Sequence, residues 1–109
     1  MTVSVIIVSY NVKYFLEQCL CSLERARQWE HNCHQAYQDP IEIIVVDNDS
    51  SDGTIEYLQP KFPFVHFIAN RTNTGFAVAN NQALAQAKGK YVLFLNPDTI
   101  LPEDFFEQC

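Results

Sequence analysis

The sequence predicts an α/β fold: a three-layer α/β/α arrangement around a mainly parallel sheet. Three observations carry the prediction. Short apolar runs without alternation recur through the sequence (Thr2 to Ser9, Ile41 to Val46, Tyr91 to Leu95), as strands covered on both faces do. Segments with helical spacing lie between them, and strands alternating with helices imply parallel pairing through right-handed crossovers. Each strand candidate ends in a polar stop, and ligands of open α/β sheets bind beyond the carboxyl ends of the strands. The expected strand order is 3-2-1-4, with a crevice between the first and fourth strands.

The elements follow in order. After Thr2 to Ser9, Tyr10-Asn11 breaks the first strand. From Val12 to about Ala26, Phe15, Leu16, Cys19, Leu20 and Leu23 form one apolar stripe of a helix. Residues 25–40 read as a polar surface excursion, with a helical extension as far as Trp29. His31, Cys33 and His34 crowd together there, but zinc needs a fourth ligand and a firm geometry, so a solvated loop is expected. Ile41 to Val46 is the second strand. It runs into Asp47-Asn48-Asp49-Ser50-Ser51-Asp52-Gly53-Thr54. The alternating acids suggest a calcium loop, yet the sixth and twelfth positions are Asp52 and Leu58 where such a loop needs Gly and Glu. Ser51 or Asp52 can instead cap a helix from Thr54 to Gln59, which Pro60 and Pro63 end.

Phe64 to Ala69 is a third strand, weakly alternating and suited to a sheet edge; His66 within it reads as an ordinary sheet residue. Asn70 to Gly75 is a run of turn formers. Phe76 to Lys88 is an Ala-rich helix with Phe76, Ala79, Ala83, Leu84 and Ala87 on one face, stopped by Gly89. Tyr91 to Leu95 is a buried strand that Pro97 must end, because proline cannot donate to a ladder. Asp98 then stands just past its carboxyl end, where it either caps a turn or holds a metal ion. Pro102-Glu103-Asp104 reads as the first turn of a further helix.

Composition limits the function. The 109 residues make one small domain, and 48% hydrophobic content suffices for a core. A formal net charge of −6 argues against nucleic acid or an anionic membrane surface as partner. No run approaches the ~20 apolar residues of a membrane span. Val3 to Val8 lacks the basic lead and cleavage site of a signal peptide. A cytoplasmic location, or the cytoplasmic face of a membrane, is expected, with the four cysteines reduced. Cys19 and Cys21 point to different faces of their helix.

Four segments in order carry a resemblance: VSVIIVSYN, EIIVVDNDSSDGT, NTGFAVANN and YVLFLNPDT. Together they resemble the nucleotide-sugar-binding part of a family 2 glycosyltransferase with the Rossmann-like GT-A fold, closest to the rhamnosyltransferase-like branch. The resemblance covers nearly the whole sequence apart from residues 25–40, which look longer than usual. It implies that Ser9 and Tyr10 cradle the nucleotide base and that Asp47, Asn48 and Asp49 contact base and ribose. It implies that Arg71, Gly75 and Asn80 flank the diphosphate and sugar. Asn96-Pro97-Asp98 takes the place of the family's Asp-x-Asp motif; the first acid is Asn96, so Asp98 becomes the principal protein ligand of Mg²⁺ or Mn²⁺. The family often has Asp at position 48, and the amide here could still accept from a pyrimidine N3–H.

A cation would resolve the charge problem. A nucleotide diphosphate carries about two negative charges and, facing Asp47, Asp49 and Asp98, would be repelled by several kcal/mol in a partly dry cleft. The resemblance also implies an inverting transfer whose catalytic base and acceptor surface, for a glycan or lipid-linked acceptor, lie beyond Cys109. Residues 1–109 are therefore expected to bind donor but transfer little alone, and an uncovered face would favour self-association. Two readings compete: a non-catalytic nucleotide-binding or regulatory module, and a receiver-like signalling domain phosphorylated on Asp47.

Overall fold

The computed structural model describes residues 3–33, 41–102, 104 and 105, without the side chains of 29–33. Its elements are β1 (Val3–Ser9), α1 (Lys13–Cys33), β2 (Ile41–Asn48), α2 (Thr54–Leu58), β3 (His66–Asn70), α3 (Phe76–Gln86) and β4 (Tyr91–Leu95). The four strands form one sheet in the order β3-β2-β1-β4, every pair parallel, as the alternation of elements predicts. Register places Val3 beside both Ile41 and Tyr91, so β2 and β4 flank β1 from a common base line.

The alternation of side chains along β1 and β2 divides the core. Val3, Val5, Ile7, Ile43 and Val45 pack on one face with Leu16, Cys19, Leu20, Leu23 and Ala26 of α1, and with Leu58, Phe62 and Val65 around α2. Ile6, Ile44 and Val46 pack on the other face against Ala79 and Ala83 of α3. The two alanines let α3 lie close to the sheet. Of the stripe expected on α1, Phe15 alone is exposed.

Several expectations need correction. The helical extension expected as far as Trp29 runs on to Cys33, so α1 is 21 residues long and takes in residues 30–33, where an irregular excursion is expected. Within residues 25–33 Ala26 still enters the core, and the Glu24 carboxylate accepts from Arg27 and Gln28 one turn on. The expected loop around His34 to Pro40, the side chains of His31 and Cys33, the Glu103 turn and Cys109 lie outside the described residues. On α3, Phe76 and Leu84 are exposed rather than part of the sheet-facing strip. Gln82 reaches Asn70 of β3, which leaves Leu84 on the far side of the helix, while Phe76 is exposed as the first residue of α3.

The apolar run of β4 predicts a buried strand, and β4 is not one. Tyr91 and Phe94 are 52% and 51% exposed, while Leu93 and Leu95 lean against the α1 side of the core. β4 is an edge strand, and α3 sits over β1 and β2, so the face that carries Val92 and Phe94 is only partly covered. Among the described residues, no helix is long and apolar enough to cross a membrane.

The connection into β4 has a tight fit. The Ser4 hydroxyl donates to Glu42 Oε2 at 2.6 Å, and Gly89 N–H donates to Ser4 Oγ at 2.8 Å. Lys88 N–H donates to the same Glu42 oxygen at 3.0 Å. Partial burial opposes ionisation of Glu42, but the Lys88 and Ser4 hydrogen bonds, then the charges of Lys88 and His66, hold its carboxyl below the usual range. These bonds tie the α3–β4 turn to the starts of β1 and β2, and so set where β4 begins.

Candidate donor site at the carboxyl edge of the sheet

Because all four strands are parallel, their carboxyl ends share one edge. Ser9 pairs in register with Asp47, and Asn48 with Asn70; β4 ends one strand away from β1 at Leu95. The segments after β1, β2 and β4 therefore meet along one rim.

The first two segments are zipped together. Asn11 N–H donates to Ser50 Oγ at 2.9 Å, and Asn11 Oδ1 accepts from Ser51 N–H at 2.7 Å. Asn11 (φ 52°) and Asp49 (φ 66°) both adopt the left-handed conformation that Asn and Asp tolerate best among residues with a side chain. Two such residues, each just past a strand end, shape the rim. Asp52 secures the helices behind it: its carboxylate accepts from Lys13 N–H at 3.1 Å and from Thr54 N–H at 3.2 Å, and also from the Thr54 hydroxyl. One carboxylate thus ties together the starts of α1 and α2. The N-cap position of α2 is Gly53, which brings no side-chain bond, so neither Ser51 nor Asp52 is the N-cap as expected; Asp52 binds the first helical N–H from one residue further out. A cleft of about 320 Å³ opens beside it, lined by Asn11, Val12, Lys13, Tyr14, Phe15 and Asp52.

The acidic trio separates by environment. Asp47 is 4% exposed and turned toward Ser50, whose hydroxyl and N–H donate to it at 2.5 and 3.2 Å. Burial pushes its carboxyl above the usual range; the Ser50 bonds oppose this, and the charges of Asp52 and Glu56 add to it. Asn48 is 2% exposed and engaged with the loop before α3. Asp49 alone projects into solvent. Ser9 is fully buried, and among the described residues its hydroxyl is a buried side-chain group without a partner. Tyr10, 51% exposed, is the aromatic surface available at the end of β1.

The third segment is held by α1. Thr99 N–H closes a turn on Asn96 O at 3.1 Å, and Leu101 N–H donates to the buried Ser22 hydroxyl at 3.1 Å. Leu101 enters the core, and Cys19 Sγ lies 3.9 Å from Asn96 O. These contacts carry Asn96 and Asp98 back across the α1 side while both remain exposed. Burial pushes the Cys19 thiol up to about 11; a hydrogen bond from the Thr99 backbone to the sulfur opposes this, and the negative charge of Asp98 adds to it.

The loop before α3 completes the edge next to β2 and β3. Arg71 is exposed, Gly75 has φ 85°, and Asn80 is half-buried. Gly75 gives α3 no side-chain cap. Sequence reasoning misses Ser50, Asn11, Asn70, Thr74 and Gln82 as residues that build this edge. The available signal is the density of Asn, Ser and Thr after each strand, which marks turns but cannot say which turn bonds to which.

Among the described residues, no group of three His, Cys, Asp or Glu side chains could hold a metal ion. Asp98, an exposed carboxylate, offers one hard oxygen ligand. That suits Mg²⁺ or Mn²⁺ in the manner of sites that combine one or two carboxylates with substrate phosphate and water. It does not suit an all-protein cage.

Residues 4–109 match the family described as Glycosyl transferase family 2. The uncharacterized glycosyltransferase YfnE of Bacillus subtilis (strain 168) is 36% identical over 107 residues, which are 95% of this chain and 25% of that protein. The putative teichuronic acid biosynthesis glycosyltransferase TuaG of the same organism is 34% identical over 109 residues, 97% of this chain and 39% of that one. Among solved structures, S. aureus TarS 1-349 in complex with UDP is 28% identical with a TM-score of 0.77, covering 99% of this chain and 30% of that one. The complex of the same protein with UDP-GlcNAc gives 27% and 0.74, again over 99% of this chain and 30% of the other. The chain spans about a quarter to two-fifths of the length of these relatives. With its parallel 3-2-1-4 sheet and the match over residues 4–109, this chain belongs to glycosyltransferase family 2.

Proposed function

We propose that this protein is the donor-binding part of a glycosyltransferase that takes a nucleotide-diphosphate sugar with a divalent cation and passes the sugar to a glycan or lipid-linked acceptor with inversion. The observation that carries the reading is that Tyr10, Asp49 and Asp98, all exposed, each follow the carboxyl end of a parallel strand, β1, β2 and β4 in turn. The UDP and UDP-GlcNAc bound by TarS support a uridine nucleotide bearing a hexose-type sugar as donor. The names of relatives in teichuronic and teichoic acid biosynthesis support a cell-envelope polymer as acceptor.

In this reading Tyr10 offers its ring to the base, and Asp49 accepts from ribose hydroxyls. Arg71 is the cationic side chain on the loop nearest α3 and screens the phosphates. Asp98 supplies the protein oxygen for Mg²⁺ or Mn²⁺, whose chemistry when bound is charge neutralisation and stabilisation of the diphosphate leaving group. The turn fastened at Ser22 and Cys19 holds that carboxylate at the end of β4. The net charge of −6 makes the cation a requirement for binding rather than an accessory.

Calorimetric titration of UDP with and without Mn²⁺, on the wild type and on Asp98→Ala, tests this. Binding that needs Mn²⁺ and weakens at least about tenfold in the variant is expected, about 1.4 kcal/mol. Metal-independent binding, or none at millimolar UDP, overturns the reading.

A further inference from the structure

We infer that Asn48 is a positioning residue rather than a reader of the base: its side-chain amide, backed by Asn70 and Gln82, clamps the loop that leads into α3. The inference rests on the donor-site reading for what the loop does, but the clamp itself stands on geometry in the free protein.

Asn48 is the last residue of β2 and is almost wholly buried. Its Oδ1 accepts three hydrogen bonds: from Thr74 N–H at 3.2 Å, from the Thr74 hydroxyl at 3.1 Å and from Asn70 Nδ2 at 3.0 Å. Its Nδ2 donates to Gly75 O at 3.2 Å. The orientation of the amide follows from backbone groups that cannot exchange roles, since a peptide N–H only donates and a peptide carbonyl only accepts. Oδ1 has no acceptor capacity left for a pyrimidine N3–H. A carboxylate would set an oxygen against the Gly75 carbonyl with no proton between them. Position 48 therefore requires a neutral amide, one that both accepts and donates.

A second tier fixes the first. Asn70 and Gln82 exchange two hydrogen bonds, Asn70 Nδ2 to Gln82 Oε1 at 2.8 Å and Gln82 Nε2 to Asn70 Oδ1 at 3.0 Å. The end of β3 is thus locked to α3, and Asn70 is presented to Asn48. Gly75 O also accepts the first helical hydrogen bond of α3, from Ala79 N–H at 3.2 Å. The atom that starts the helix is the atom that Asn48 holds. Gly75, at φ 85° and ψ 167°, provides the backbone bend that brings its carbonyl there. The loop 71–75 and the start of α3 move as one with the end of β2, and so with Asp49 on the rim.

A clamp and a reader predict different losses. The full-length polypeptide, as wild type, Asn48→Ala, Asn48→Asp and Gln82→Ala, is titrated with UDP, CDP and ADP in the presence of Mn²⁺. Amide hydrogen exchange of Thr74 and Ala79 is measured in the absence of nucleotide. The clamp predicts at least tenfold faster exchange at Thr74 in each variant and an equal loss of affinity for all three nucleotides. It also predicts that Gln82→Ala, remote from any base, reproduces the uniform loss. Thr74 exchange unchanged in both Asn48→Ala and Gln82→Ala overturns it. So does a tenfold change in the UDP-to-ADP preference on Asn48→Ala. Should the wild type bind none of the three nucleotides, the donor reading fails while the exchange rates still decide the clamp. Gln82→Ala keeps the test available if a position 48 variant does not fold.

Discussion

Replacing Gly89 with alanine tests how β4 is placed, and through it how Asp98 reaches the rim. Gly89 has no left-handed φ; it is small because of what it touches. A Cβ built there lies 2.6 Å from both the backbone nitrogen and the hydroxyl of Ser4, and 2.9 Å from the Val3 carbonyl carbon. Two of these neighbours are backbone of the central strand, which cannot give way. Overpacking of this kind costs about 1–3 kcal/mol. Moving Gly89 outward also stretches its hydrogen bond to Ser4, worth about 1 kcal/mol, and strains the bond from Ser4 to Glu42. The expected loss is about 2–4 kcal/mol from the ~5–15 kcal/mol typical of a domain. With a urea dependence of about 2 kcal/mol per molar, the unfolding midpoint should fall by roughly 1–2 M at unchanged slope. The Ser4→Gly background removes one of the two closest contacts but not the other. Gly89→Ala should therefore cost about 1 kcal/mol less there, read as a double-mutant cycle. A midpoint shift below about 0.3 M would refute the close-approach reasoning, as would full rescue by Ser4→Gly, because the backbone contact would then be immaterial.

Two further outcomes follow from the buried titratable groups. Asp47 has its folded-state pKa raised, first by burial, so its contribution to stability is present at low pH and is lost as pH rises through that value. Asp47→Asn should therefore gain stability relative to the wild type between about pH 4 and pH 7, measured by urea unfolding; a flat or opposite trend refutes it. Glu42, whose pKa is lowered, is common to both proteins and cancels in that difference. Cys19 is fully buried with its thiol raised to about 11, while Cys21 is exposed. Iodoacetamide at pH 8 should label Cys21 in the native protein and Cys19 only on unfolding, as peptide mapping would reveal; comparable native rates would refute the placement.

The sequence alone determined the architecture. Uninterrupted apolar runs at Val3 to Val8 and Ile41 to Val46 can be satisfied only by strands covered on both faces. The helices between them require parallel crossovers, and the parallel sense puts every polar stop on one edge. Local chemistry also gave away the two faces of Cys19 and Cys21. The roles of individual polar side chains were another matter. Asp47, Asn48 and Asp49 are adjacent and equally polar, yet one turns to Ser50, one to Thr74 and Gly75, and one to solvent. Their partners lie up to 27 residues away, and no periodicity records which side chain fills which hydrogen-bonding vacancy. The exposure of β4 was hidden for a related reason. Hydrophobicity reports that Tyr91 to Leu95 can be buried, while the position of α3 over β1 and β2 decides that one face of it is not. Patterning is a property of neighbours in sequence; burial and hydrogen bonding belong to neighbours in space, which only the folded sheet assigns.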